Sequence, residues 1–151
     1  LKARPKIYIA DAAIRNAVLM DDSIMTDPTG MGKVVETAVY KHVAAFYYQF
    51  ATSVGYFRGG RKNKEIDVVV DYPNIKNILI EVKYREGAPI ADDDAIVELC
   101  EEASAAIVVT KTATDFGVHN TPSGKNLLRI PAFAFLYLLG NAEKHGYRGI
   151  E

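Results

Sequence analysis

Apolar and charged residues alternate most strictly over Lys64 to Glu86 (KEIDVVVDYPNIKNILIEVKYRE). Ile66, Val68, Val70, Ile78, Ile80, Val82 and Tyr84 fall on even positions, and Glu65, Asp67, Glu81 and Lys83 on odd ones. Alternation of period two predicts half-buried strands, and the Pro73-Asn74 pair between the runs predicts a hairpin turn. Upstream, KIYI (residues 6–9) reads as a short strand, and Asp11 is placed to cap a helix over residues 12–20. Residues 21–32, with Pro28, Gly30 and two acidic clusters, read as a loop before a long helix over residues 31–51. Strands are predicted over 54–58, 65–71 and 77–85, then a helix over 91–103 whose first turn carries Asp92, Asp93 and Asp94. The continuous apolar run AIVVT (106–110) suits a buried parallel strand, and residues 112–126, rich in Gly, Pro, Thr and Asn, suit a mobile connection. A short strand over 127–130 and a closing helix entered at Pro131 complete the chain. The pattern predicts one α/β domain over residues 1–151, a mixed central sheet flanked by helices, with no repeat and no linker.

Composition narrows the classes only a little. A chain of 151 residues is expected to bury about two-thirds of its unfolded surface in one core. No apolar run reaches the roughly 20 residues of a membrane-spanning helix, and no basic-then-apolar leader opens the chain, so no membrane partner is expected. The chain starts at Leu1, which suggests a piece of a longer polypeptide. A single cysteine, Cys100, excludes an internal disulfide and a cysteine-rich zinc site, in keeping with a reducing cytoplasm. Net charge is −1, so any nucleic acid would have to be held by a local patch. Arg58, Arg61, Lys62 and Lys64 around Gly59-Gly60 form such a patch; a plain solvated turn is the other reading.

The hairpin turn proposes a register. If Asp71 pairs with Asn77, then Val69 faces Leu79, Asp67 faces Glu81 and Glu65 faces Lys83. Opposed side chains stand about 5 Å apart, where two carboxylates repel by about 3 kcal/mol at an effective dielectric of about 20. Something positive is expected to compensate them: Lys83 or a divalent cation. On the long helix, Glu36 shares its azimuth with Tyr40, Val43, Tyr47 and Phe50, so it is an acid on the face expected to dock on the charged side of the hairpin. Buried carboxylates are rare unless paired or metal-bound. Hard oxygen ligands select Mg²⁺ or Mn²⁺, and a lysine beside them suits phosphodiester hydrolysis.

The ordered set of Glu36, Asp67 and Glu81-Val82-Lys83, within KEIDVVVD and ILIEVKYR, resembles the PD-(D/E)xK nucleases of the restriction-endonuclease-like fold. More narrowly, KIYIADAAIRNAVL, GKVVETAVYKHV, AIVVTK and IPAFAFLYLL resemble the C-terminal domain of archaeal and bacterial AAA+-type ATPases, where a nuclease-like module follows the ATPase and a winged helix. The resemblance covers nearly the whole chain. It implies a core in the order α-β-β-β-α-β, with Asp67, Glu81 and the Val82 carbonyl as ligands of Mg²⁺ or Mn²⁺. Lys83 would be the catalytic lysine, and Glu36 an aid to the metal or its water. It implies a DNA endonuclease domain whose partners are DNA and the ATPase and winged-helix portion of its own polypeptide; a homo-oligomer stays open. The chain departs from the pattern at Ile66, where the family name has proline, and at Asp92, Asp93, Asp94 and Glu98, where many active members offer Gln or Lys.

Other readings stand beside this one. The hairpin charges also suit a solvated face with a Glu65–Lys83 pair, and Glu36 suits a helix-terminal acid answering the dipole. A module that keeps the fold without cleavage, binding DNA or a protein and positioning the ATPase, is the alternative function. GMGK (30–33) is not a phosphate loop, because Asp27 and Val34 stand where that motif needs Gly and Ser or Thr. His42, His119 and His145 show no ligand spacing, and no serine sits in a GxSxG elbow.

Overall fold

The long helix α2 (Pro28–Tyr47) begins a turn earlier than its apolar periodicity predicts, because of its cap. Asp27 accepts hydrogen bonds from the N–H groups of Thr29 (3.0 Å) and Gly30 (2.8 Å), and Pro28 fills the first helical position. Gly30 serves this cap: a Cβ there would come within 2.7 Å of Asp27 Oδ2. The computed structural model describes residues 6–20, 23–59, 64–74 and 76–146. Its remaining helices are α1 (Ala12–Leu19), α3 (Ala95–Leu99) and α4 (Ala132–Lys144), with 3₁₀ turns at Ser23–Met25 and Cys100–Glu102. Asp11 caps α1 as expected, accepting from the Ala13 N–H at 2.8 Å.

The strands are β1 (Ser53–Gly59), β2 (Lys64–Asp71), β3 (Ile78–Lys83), β4 (Ala105–Thr110), β5 (Gly117–Asn120) and β6 (Asn126–Pro131). They form one six-stranded mixed sheet in the order β1-β2-β3-β4-β6-β5. β1, β2 and β3 are antiparallel, β3, β4 and β6 run parallel, and β5 closes the far edge antiparallel to β6. The buried run of β4 is central, as its unbroken apolar sequence predicts.

Three expectations are corrected. KIYI is an extended segment outside the sheet, since its inward residues are Lys6 and Tyr8 while Ile7 is 87% exposed. Residues 112–126 contain β5, a polar edge strand that hydrophobic periodicity does not flag. The predicted helix over 91–103 shrinks to α3 and a 3₁₀ turn, because Asp94 turns its carboxylate to the Ala91 N–H (2.9 Å) and holds the preceding residues in a turn.

The two faces of the sheet carry separate cores. On one, Val39 and Val43 of α2 and Phe135 of α4 pack against Val68, Val70, Ile78, Ile80, Val109 and Ile130. On the other, Ile96, Val97 and Cys100 pack against Ile66, Leu79, Val108 and Leu127. So α2 docks on the apolar even positions of the hairpin, not on the charged side that the azimuth of Glu36 predicted. Glu36 still meets Asp67 there because of a bulge: three steps along β2, from Ile66 to Val69, match two along β1, from Phe57 to Gly55. A bulge interrupts side-chain alternation. Ile66 therefore joins the α3 core while Val68 and Val70 join the α2 core. The extra residue falls at Asp67–Val68, which lets Asp67 share the α2 side with Val68.

Candidate active site

The hairpin register is the predicted one, with Val68, Val69 and Val70 opposite Ile80, Leu79 and Ile78. Asn74, at φ +64°, supplies the left-handed residue of the turn. The ladder stops at Val68–Ile80, so Asp67 and Glu81 stand at a fork between β2 and β3 rather than in a backbone pair. At that fork the Val82 N–H donates to Asp67 Oδ2 at 2.9 Å, a carboxylate taking the place of a ladder carbonyl.

On the α2 side, one ammonium gathers three carboxylates. Lys6 Nζ lies 2.9 Å from Glu36 Oε1 and 3.0 Å from Asp67 Oδ1, and it also pairs with Glu65. Tyr8 donates its hydroxyl to the same Glu36 oxygen at 2.9 Å and stacks on Tyr40, with ring centroids 4.1 Å apart. Burial alone would lower the Lys6 ammonium, but the surrounding Glu65, Glu36 and Asp67 hold it above its ordinary value. Burial and the Glu36 carboxylate raise the Tyr8 hydroxyl. Burial, followed by the charge of Glu36, also raises Asp67, opposed by the Val82 N–H and Lys6.

Glu81 and Lys83 alternate with Ile80 and Val82 and so face the α3 side. Lys83 Nζ donates to Asp94 Oδ2 at 2.8 Å, in place of the predicted pair with Glu65. Asp94 is partly buried, which works against its charge, yet the Lys83 ammonium and the Ala91 N–H hold its carboxyl below the usual range. Glu81 has no such support: its Oε2 is buried without a hydrogen-bond partner. Burial first, then the neighbouring Asp67 carboxylate, pushes its pKa up to about 8.

The structure thus gathers Glu36 and Asp67 on one side of the fork and sets Glu81 and Lys83 on the other, with Asp67 linking the two through Val82. Among the described residues, no group of three or more His, Cys, Asp or Glu side chains is arranged to hold a metal ion. Of the predicted basic patch, Arg58 lies 3.7 Å from Glu65, and Lys64 pairs with Glu98 and donates to the Asp93 carbonyl at 2.8 Å. Arg61 and Lys62 lie outside the described residues. Sequence reasoning missed Lys6, Tyr8 and Asp94 as members of the site. The alternation of Lys6 and Tyr8 with Ile7 and Ile9 was a signal, but it marks polar side chains facing inward rather than a core strand.

Comparison with known proteins gives one family. Residues 31–133 match a domain of unknown function (DUF4143), a domain often found with AAA ATPases. The match includes Glu36, Glu65, Asp67, Glu81, Lys83 and Asp94 and leaves out Lys6 and Tyr8. No curated protein matches the chain. Among the described residues, no helix is long and apolar enough to cross a membrane.

Proposed function

The chain belongs to the DUF4143 family, and from that premise we propose that it is a divalent-cation-dependent DNA endonuclease domain working beside an ATPase of the same polypeptide. The observation that carries this reading is the buried, partnerless Oε2 of Glu81 next to Asp67. An orphaned carboxylate oxygen at a strand fork is costly unless something positive arrives there. Two carboxylates and the Val82 carbonyl form a hard-oxygen donor set, and Mg²⁺ or Mn²⁺ is commonly held by one or two carboxylates together with waters and substrate phosphate. The donor types therefore fit the cation that the resemblance implies, and Asp67, Glu81 and the Val82 carbonyl would hold it. When bound, such a cation would neutralise the phosphate and lower the pKa of the attacking water.

The chain's own groups supply the rest. Glu81, whose pKa is raised, would have to give up its proton to serve as a ligand. Lys83 lies two residues along the same strand face, about 6.6 Å away, where an ammonium can stabilise a developing oxyanion. Asp94 positions that ammonium from the N-terminus of α3. Glu36 acts on the opposite side of Asp67 through the shared Lys6.

A second reading is favoured by a specific observation. Lys6 already fills the acidic cluster and Lys83 is already paired, which suits a module that keeps the fold, binds DNA or a protein, and positions the ATPase. Nicking of supercoiled plasmid in Mn²⁺ separates the two. The endonuclease reading expects Lys83→Ala to lose about a hundredfold or more in rate, and Asp67→Ala to lose both nicking and Mn²⁺ binding by calorimetry. Equal nicking by all proteins would mark a contaminant, and absence of both nicking and Mn²⁺ binding in the wild type would leave the positioning module.

A further inference from the structure

The acidic cluster on the α2 side is closed by residues that lie outside the family match. Residues 6–9 have no regular structure, and Lys6 and Tyr8 make their contacts with the domain. Lys6 reaches Glu36, Glu65 and Asp67, and Tyr8 reaches Glu36 and stacks on Tyr40 with an interplanar angle of 9°. The Lys6 ammonium also lies 5.7 Å from the centre of the Tyr56 ring. The alternate residues Ile7 and Ile9 face outward and add no buried apolar anchor. The segment is therefore held by one ring stack, by the Tyr8 hydroxyl and by ion pairs, and a competing cation can replace the ion pairs.

Charge and geometry at Asp67 sharpen the point. One ammonium stands among three carboxylates, and with Arg58 3.7 Å from Glu65 the cluster still carries one uncompensated negative charge. Both oxygens of Asp67 are engaged, Oδ1 by Lys6 and Oδ2 by the Val82 N–H. A cation that takes Asp67 as a ligand competes with Lys6 for the same carboxylate.

We propose that Lys6 is a tethered cation and that residues 6–9 form an autoinhibitory strap, which withdraws when a divalent cation binds at Asp67 and Glu81. This rests on the reading of the fork as a divalent-cation site. With the strap closed in about nine molecules of ten, removing it raises apparent cation affinity about tenfold.

Mn²⁺ titrated calorimetrically into the full chain tests the strap. Lys6→Met keeps the aliphatic stem and is expected to bind Mn²⁺ about tenfold more tightly than wild type. Tyr8→Phe removes only the hydroxyl on Glu36, changes no charge, and is expected to fall between the two. That second variant separates strap release from a general gain in negative charge, and circular dichroism confirms that each variant is folded. In the wild type, cleavage after Lys6 by a lysine-specific protease is expected to speed up several-fold as Mn²⁺ saturates the site. Lys6→Met or Tyr8→Phe binding no more tightly than wild type overturns the strap while leaving the cation site standing. Absence of Mn²⁺ binding in all three proteins overturns the cation site, and the strap with it.

Discussion

Asp67 and Glu81 stand next to each other at the end of the β2–β3 ladder, yet their surroundings are opposite. Asp67 sits among donors, with the Lys6 ammonium at 3.0 Å and the Val82 N–H at 2.9 Å. Glu81 keeps a buried oxygen with no partner, one strand away. Burial pushes both carboxyls towards their neutral forms, and at Asp67 the Val82 N–H and Lys6 oppose that push. The difference teaches that burial alone does not distinguish the two carboxyls; the hydrogen-bond donors within reach of each one do.

The sharpest way to break that contrast is through Glu81. Its carboxyl has a pKa of about 8 in the folded chain against an ordinary 4.5. Below 4.5 it is protonated in both states. Between 4.5 and 8 the unfolded chain has lost the proton and the folded chain has kept it, so the folded state binds more protons and stability falls as pH rises. At about 1.4 kcal/mol for each pH unit between the two values, the loss amounts to several kcal/mol by pH 8. Glu81→Gln is expected to remove most of this slope and to be more stable than wild type at pH 8. Urea unfolding at pH 5, 6.5 and 8 measures it; parallel wild-type and variant curves would show that Glu81 is ionised and satisfied.

A smaller effect is expected from the two lysines on either side of the fork. Lys6→Met leaves Glu36, Glu65 and Asp67 facing one another, and should cost about 1–2 kcal/mol at pH 7. Lys83→Met removes the partner of one partly exposed carboxylate, and should cost less than about 1 kcal/mol. Denaturant midpoints at low and high salt compare them: the Lys6 deficit should shrink in salt, where repulsion among the partly exposed acids is screened. Equal costs for the two would mean that the three-acid cluster is not a single electrostatic unit.

The smallest effect is expected at Asp94, whose carboxyl lies below its ordinary value and is partly exposed. Such a group contributes stability above the ordinary carboxylate range and loses it as pH falls through its folded value. Asp94→Asn should cost a few tenths of a kcal/mol at pH 7 and nothing near pH 2. Thermal melts across that range read the difference, and a deficit that persists in acid would assign the loss to the Ala91 turn rather than to charge.

Much of this protein is written locally in its chain. The alternation over Lys64 to Glu86 specifies two strands, and the Pro73-Asn74 turn sets the Val69–Leu79 register, because a one-residue slip would turn a buried face outward. Asp11 ahead of α1, Pro131 ahead of α4 and the apolar run of β4 mark their elements for equally local reasons: capping, a preset φ and burial on both faces. Glu36, Asp67, Glu81 and Lys83 were legible as a set, but not the way they divide between the two faces of the sheet. That division depends on the bulge at Asp67, a mismatch between the lengths of two paired strands that no single strand's pattern contains. Lys6 was illegible for the same reason. Its carboxylate partners lie 30 and 61 positions away at Glu36 and Asp67, so only chain folding could bring one ammonium among them. Periodicity records which way a side chain points from its own strand or helix; which charges meet there is decided by the packing of elements against one another.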